Sequence, residues 1–280
     1  MTRNYRKNQN MKSIRYLIIT ALTVLLSLTA YCQNNSPEQK PNTTYVADKK
    51  AKKDYKVVKT AKDEESINST QNFRIAKKRL VKIVSKLENP QTLYCGCDII
   101  IKKNGYLPDL ESCGYKVRKN EKRASRIEAE HMMPAHEFGG QRECWLTGKR
   151  RNCESTDIKY QEMEGDLHNL YPAVGEVNGD RKNYKYAQSV NGHSPYGKCQ
   201  MVIDTKRQRV MIPDRAKGQV ARAYLYMSER YNIALSNDQK NLFNQWNNHF
   251  KPTKNECLYN ELVAKEQGND NPFVTKKCKN

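Results

Sequence analysis

Eight cysteines between residues 95 and 278 limit how this chain can fold more than any other feature. They are Cys95, Cys97, Cys113, Cys144, Cys153, Cys199, Cys257 and Cys278. Because their number is even, all of them can pair in an oxidising compartment, and the count favours structural disulfides over a metal site. The Cys95-Gly96-Cys97 spacing is too tight for an ordinary zinc knuckle. The spacing leaves the connectivity open.

The first 32 residues have the pattern of a secretory signal peptide. An apolar run from Tyr16 to Ala30 follows a basic start without acidic residues, and it is short for a membrane span. Ala30-Tyr31-Cys32 fits the small-residue cleavage rule, so we expect the mature chain to begin at Gln33. A lipoprotein acylated at Cys32 is the alternative, which the bulky Tyr31 disfavours. We therefore predict a periplasmic or secreted protein without stable membrane insertion after signal cleavage.

The chain is strongly basic, with 50 Lys and Arg against 30 Asp and Glu and a net charge of +20. Such a surplus favours polyanions or anionic membranes over neutral small molecules. On charge alone, solubility and nucleic-acid binding explain the basic surplus about equally well. Residues 33–71 are polar and lack an apolar period, which predicts a disordered tether.

Residues 72–280 are expected to form a single, monomeric domain of mixed α+β class. Apolar residues from Phe73 onwards recur at helical spacing, and a short strand is predicted over Ile127–Met133. Gln200–Thr205 and Gln208–Ile212 alternate like a two-stranded ribbon. Later segments predict helices, one of which begins at the Ser236–Gln239 capping box. Residues 144–164 are polar and contain a basic cluster, which predicts a long surface excursion.

Two stretches concentrate the residues that can carry chemistry. Glu130-His131 lies in the first, but the next histidine is His136, so the His-Glu-x-x-His pattern of zinc proteases is absent. The second runs from Asp166 to Arg181 and packs amides, carboxylates and a cation into few positions. Amide and carboxylate oxygens suit a hard ion such as Mg²⁺, which takes few protein ligands.

Several motifs in order resemble the bacterial endonuclease I family of secreted nucleases. The resemblance covers residues 72–278 and is carried by Arg126–His131, Gln141–Trp145, Asn169–Ala173, Glu176–Arg181, Pro213–Gly218 and Gly268–Phe273. The sequence departs from the family pattern at Ala129 and His136, where bulky aromatics are usual, and at Asp270, where His is expected.

The resemblance implies a ββα-metal (His-Me finger) nuclease core surrounded by helices and disulfide-stapled loops, with four disulfides. It implies that His131 is the general base, that Glu130 and Asn178 bind one Mg²⁺, and that Arg150 contacts the phosphate. Mn²⁺ or Ca²⁺ can substitute in binding. The implied activity is hydrolysis of phosphodiester bonds in DNA and RNA through backbone contacts. Little sequence specificity and products with 5′-phosphates are expected.

Glu130 and His131 are adjacent residues of the predicted strand. Neighbouring strand residues point to opposite faces, yet Glu130 and His131 must serve one site. We therefore expect a strand end or a bulge at this point. The alternative function is a non-catalytic, basic nucleic-acid-binding protein at the cell surface, which does not need the set Glu130, His131, Arg150 and Asn178.

Overall fold

A computed structural model describes residues 72–103 and 105–279. The predicted signal peptide and tether, residues 1–71, lie outside the described residues. The strands are β1 Asp98–Lys102, β2 Gly105–Asp109, β3 Ile127–His131, β4 Leu170–Val174, β5 Lys185–Tyr186, β6 Val202–Asp204 and β7 Arg209–Met211. The helices are α1 Phe73–Val84, α2 Glu121–Ala124, α3 Ala135–Gly139, α4 Glu143–Thr156, α5 Ile158–Gly165, α6 Gly175–Arg181, α7 Asp214–Tyr231, α8 Asn237–His249, α9 Lys254–Gln267 and α10 Pro272–Cys278.

The strands form small sheets rather than one large one, and the predicted α+β class is confirmed. β1 pairs with β2, and β3 pairs with β4, both antiparallel. The third sheet has the order β5-β7-β6, in which β7 is parallel to β5 and antiparallel to β6. The β6–β7 pair is the ribbon predicted from its alternating pattern.

β4 and α6 form the part of the fold that holds the site in place. β4 is buried along its whole length, and α6 begins directly after it at Gly175. Gly175 and Gly179 let α6 approach its neighbours closely, since a Cβ on either would collide with Arg123. The helix is thereby fixed against the segment that enters β3.

The C-terminal half is mainly helical. α7 and α8 pack through Tyr224 and Phe243, whose stacked rings lie 4.1 Å apart. The predicted capping box is confirmed, because the Ser236 hydroxyl accepts from the Gln239 backbone and the Gln239 side chain accepts from the Ser236 backbone. Gly268 ends α9 in the left-handed conformation, as a C-terminal glycine cap does.

The predicted surface excursion over residues 144–164 is wrong. The segment forms two helices, α4 and α5, with a break in the first where Gly148 and Lys149 leave helical geometry. Asp157 separates the helices and caps the second by accepting from the backbone N–H of Tyr160. Trp145 and Cys153 are buried, so the segment contributes to the core despite its polar composition.

All eight cysteines form disulfides, as predicted. The pairs are Cys95–Cys199, Cys97–Cys113, Cys144–Cys153 and Cys257–Cys278. The first joins residues 104 positions apart, and such long-range crosslinks restrict the unfolded chain most. Within the described ranges, no helix is long and apolar enough to cross a membrane.

Candidate active site

β3 ends at His131, and this strand end brings two predicted site residues to one cavity. The register with β4 is one-to-one from Ile127↔Val174 to His131↔Leu170, without a bulge. Glu130 and His131 are both buried, and both line a cavity of about 750 Å³ that Arg150 and Asn178 also line. The expected strand end is thus observed, and the four predicted residues surround one space, the site cavity.

The imidazole of His131 is held by a main-chain group. Its Nε2 lies 2.8 Å from the carbonyl oxygen of Glu164. A carbonyl only accepts, so Nε2 carries the proton and Nδ1 keeps its lone pair. No hydrogen bond among the described residues uses Nδ1 of His131. The geometry therefore leaves one ring nitrogen free to accept a proton.

Burial keeps His131 neutral. It lowers the pKa of the imidazole to about 3; the Glu164 carbonyl opposes this shift, while Arg150 and Arg181 add to it. The Phe73 ring, 4.7 Å away between centroids, supplies part of the apolar wall. A neutral imidazole with a fixed tautomer is the form that a general base requires.

The two carboxylate oxygens of Glu130 differ: Oε1 is engaged by neighbouring side chains, and Oε2 has no hydrogen-bond partner among the described residues. Oε1 accepts from the Tyr94 hydroxyl at 2.6 Å and lies 3.2 Å from Nη1 of Arg181. Burial raises the pKa of Glu130, while Arg181 and Tyr94 act in the opposite direction. Among the described residues, no hydrogen bond involves Oε2. That oxygen is available to a cation.

Asn178 is oriented by a second carboxylate. Its Nδ2 donates to Oε2 of Glu128 at 3.0 Å, and no side-chain hydrogen bond in the described part of the chain uses its Oδ1. Glu128 in turn is paired with Arg123 and Arg126. This hydrogen bond fixes the orientation of the amide: Nδ2 is engaged, and Oδ1 has no side-chain partner among the described residues. The sequence motifs alone give no role to Glu128.

Arg150 lies on α4 beside the cavity. Its Nη2 is 2.6 Å from Oε1 of Glu164, and its Nε also donates to Glu154. The guanidinium carbon sits over the Phe73 ring at 5.3 Å. Its side chain is 42% exposed while that of Glu164 is only 4% exposed, so the guanidinium can still meet a ligand entering from solvent.

Arg181 is a buried residue of the site that sequence analysis left without a role. Its side chain is 1% exposed, and it donates to the carbonyl oxygens of His131 at 3.1 Å and Met132 at 2.9 Å. It stands three positions after Asn178 on α6, and residues at that spacing share a helix face. The three-residue spacing from Asn178 is the sequence feature that could have placed Arg181 at the site.

The remaining polar candidates have structural partners. Asn169 bridges the main chain of Met133, accepting from its N–H and donating to its carbonyl. His168 is buried, with Nε2 2.8 Å from the carbonyl oxygen of Asn269. His136, in contrast, is exposed on the rim of the cavity and packs edge-on against Trp145.

The donor set fits a hard divalent cation. Oε2 of Glu130 and Oδ1 of Asn178 are the unengaged oxygens of two side chains that line the same cavity. A carboxylate and an amide oxygen are ligands that Mg²⁺ accepts, with water completing its shell. Cysteine ligands are excluded, because all cysteines of the described chain are in disulfides.

Comparison with known proteins identifies the family of this chain. The family model for Endonuclease I matches residues 72–278. A periplasmic deoxyribonuclease of Aeromonas hydrophila is 48% identical over 209 residues, which cover 74% of this chain and 87% of the relative. An Endonuclease-1 of Buchnera aphidicola is 48% identical over 208 residues, 74% of this chain and 82% of the relative. An extracellular endonuclease of Pseudomonas fluorescens is 30% identical over 211 residues, 69% of this chain and 83% of the relative. The chain belongs to the Endonuclease I family.

Proposed function

We propose that this protein is an exported, metal-dependent endonuclease that hydrolyses phosphodiester bonds of DNA and RNA without reading their sequence. Family membership makes it a nuclease, and the names of its relatives, periplasmic and extracellular deoxyribonucleases, support DNA as a substrate. Contacts to the phosphate backbone carry little sequence information, and both nucleic acids offer them. We therefore expect the protein to cleave RNA as well as DNA.

The observation that carries the proposal is the state of His131. The Glu164 carbonyl fixes the proton on Nε2, burial keeps the ring neutral, and Nδ1 is unengaged. Nδ1 can then take the proton of a water molecule as that water attacks phosphorus. A protein that only binds nucleic acid has no need of a buried base with a fixed tautomer.

The order of elements around His131 supports the ββα-metal core that the family resemblance implies. β3 carries Glu130 and His131, β4 pairs with it antiparallel, and α6 follows directly with Asn178. Two strands and a helix thus supply the base and both proposed ion ligands. The surrounding helices and disulfides keep this short unit in place.

Glu130 and Asn178 would hold one Mg²⁺, and Mn²⁺ or Ca²⁺ can take its place in binding. The ion would supply positive charge to the phosphate oxygens as negative charge builds up in the transition state. Arg150 would add a charge-assisted hydrogen bond to a non-bridging oxygen. With water attacking from the side of His131 and the 3′ oxygen leaving, the products carry 5′-phosphates.

Export agrees with the disulfides of the described chain. Four disulfides form and persist in oxidising compartments such as the periplasm or the extracellular medium. We propose one of these locations for the protein, as a monomer. The signal peptide over residues 1–32, with Cys32 cleaved or acylated, remains a prediction from sequence.

Plasmid nicking tests the proposal. The mature protein should nick supercoiled plasmid with Mg²⁺ and lose this activity with EDTA or with His131→Ala, and the new ends should accept label at the 5′ position only after phosphatase treatment. His193→Ala, at an exposed histidine away from the cavity, is the matched control and should remain active. Nicking that survives both EDTA and His131→Ala contradicts the mechanism. Binding without nicking by the parent favours the non-catalytic alternative.

A further inference from the structure

A second cleft adjoins the site cavity. It encloses about 620 Å³ and shares His136 and Asn183 with the lining of the site cavity. We propose that this cleft, the basic cleft, binds the sugar-phosphate backbone of the same nucleic-acid strand beyond the scissile phosphate. Lys185 and Arg209 are the proposed phosphate contacts. This inference rests on the proposed function, and nothing in the catalytic assignment requires it.

Strand register places the two cations side by side. β5 and β7 are parallel, with Lys185 the partner of Arg209 and Tyr186 the partner of Val210. Tyr186 and Val210 are buried while Lys185 and Arg209 are exposed, so both charged side chains project from the outer face of the sheet. Like charges directly opposite each other destabilise a sheet. A bound phosphate would offset that repulsion.

Neither cation is neutralised by a carboxylate. Among the described residues, no ion pair or hydrogen bond involves the side chain of Lys185 or Arg209. Asp204 is the partner of Arg209 on β6, but its carboxylate binds the side chain and backbone of Arg207. The charges of Lys185 and Arg209 are thus available to a ligand.

The acidic residue in the cleft wall is also engaged. Glu137 accepts from the Tyr224 hydroxyl at 2.8 Å and from Gln239. The other lining groups are mostly polar and uncharged, such as Gln141, Gln208 and Ser236. A cleft with open cations, an engaged carboxylate and neutral polar walls suits a polyanion better than a peptide or an apolar ligand.

The chain itself connects the two spaces. α6 carries Asn178 at the proposed ion site and ends at Arg181; Lys182 and Asn183 follow in the wall of the site cavity, and Lys185 then lies in the basic cleft. A nucleic-acid strand whose scissile phosphate lies near Asn178 can therefore continue along residues 182–185 of the protein. We infer that the basic cleft binds the neighbouring phosphates of that strand.

Salt-dependent binding tests the inference. The parent protein and a Lys185→Gln/Arg209→Gln variant, both with His131→Ala to prevent cleavage, are titrated onto a labelled 30-base-pair duplex at several salt concentrations in EDTA. Each lost phosphate contact should make the negative slope of log K against log salt shallower by about 0.9, so the slope of the double variant should be shallower by nearly 2. Affinity at 0.1 M salt should fall roughly fivefold to tenfold per cation by the same relation.

Two controls separate this effect from a general loss of charge or of folding. Lys86→Gln/Lys265→Gln removes the same charge from exposed lysines outside both spaces and should keep nearly the parental slope. Lys185→Arg/Arg209→Lys keeps the charge at the cleft and should retain the parental slope and affinity. A slope for the Gln variant equal to that of the Lys86/Lys265 control overturns the inference.

Cleavage of substrates of different length gives a second readout. With His131 intact, the protein should have a higher kcat/KM for a 30-nucleotide strand than for a trinucleotide that cannot reach the basic cleft, and Lys185→Gln/Arg209→Gln in the same His131-containing background should lower that ratio. An unchanged ratio contradicts the inference. If the parent binds with the expected slope but does not cleave with Mg²⁺, the proposed function fails while the cleft stands.

Discussion

The carbonyl oxygen of Glu164 accepts a hydrogen bond from Nε2 of His131 at 2.8 Å, across 33 residues of sequence. The carboxylate of the same residue accepts from Arg150. Glu164 therefore contacts both the proposed base and the proposed phosphate ligand, one through its main chain and the other through its side chain. A substitution can remove the second contact and leave the first in place.

Glu164→Gln should lower kcat by roughly tenfold, in the range of other outer-sphere supports of a site. The amide cannot hold the guanidinium of Arg150 as the carboxylate does, whereas the carbonyl that fixes His131 remains. Plasmid cleavage over a range of pH values is the measurement, and the shape of the pH profile should match that of the parent. Glu154→Gln removes the more exposed partner of Arg150 and should change kcat less than twofold. Equal losses in both variants would count against the role of Glu164.

Glu128→Gln should weaken binding of the divalent ion about tenfold. The carboxylate of Glu128 orients the amide of Asn178 and is itself held by Arg123 and Arg126; a neutral side chain loses the charge that holds this arrangement. Calorimetric titration with Mn²⁺ measures the affinity independently of catalysis. Glu121→Gln, at an exposed residue of the nearby helix α2, is the control. An unchanged Mn²⁺ affinity in Glu128→Gln would falsify the orienting role.

Glu130, His131 and Asn178 were predicted because each lies in a contiguous motif that resembles the family pattern, and the structure brings all three to one cavity. Glu128 and Arg181 were missed because their roles depend on tertiary contacts: one reaches Asn178 across 50 residues, and the other reaches the His131 carbonyl. Single-sequence patterns carry little information about such contacts.

The helices of residues 143–165 were missed for a different reason. α4 has a weak apolar period and contains Gly148 and Lys149, which leave helical geometry. Its stability comes from the Cys144–Cys153 disulfide and from the buried ring of Trp145. The helix is stabilised by tertiary packing and a crosslink rather than by a strongly amphipathic face. Its sequence therefore lacks the periodic pattern from which a helix is predicted.

Asp157→Asn should reduce stability at neutral pH and have little effect in acid. Burial raises the pKa of Asp157, but hydrogen bonds from Arg142 and from the Tyr160 backbone outweigh it, so the folded-state pKa is lowered. A carboxylate with a lowered pKa contributes stability above its unfolded pKa of about 4 and loses it as pH falls through the folded value. Asparagine keeps the helix cap but lacks the charge.

Thermal unfolding of both proteins from pH 7 to pH 2.5 is the measurement. The difference in Tm should be largest above pH 5 and should approach zero as the acid end is reached. Asp238→Asn, at an exposed residue in the first turn of α8, should show a smaller difference across the range. A constant gap between parent and Asp157→Asn at all pH values would mean that the ion pair with Arg142 does not contribute.

Removal of the Cys144–Cys153 disulfide should affect activity more than its stability cost explains. The bond closes a short loop that carries Arg150 and includes the break at Gly148 and Lys149. Loop-closure entropy predicts a loss of about 2–3 kcal/mol for Cys144→Ser/Cys153→Ser. Because Arg150 is then held less precisely, kcat/KM at 25 °C should fall at least tenfold even where the protein remains folded.

Cys257→Ser/Cys278→Ser is the matched control, since this bond closes a longer loop between α9 and α10, and neither cysteine lines the site cavity. Its stability loss should be similar or slightly larger, about 3 kcal/mol, while kcat/KM at 25 °C should stay within twofold of the parent. Circular dichroism and urea unfolding confirm that both variants are folded during the assay. If the two variants lose activity in proportion to their loss of stability, the Cys144–Cys153 bond has no separate role in holding Arg150.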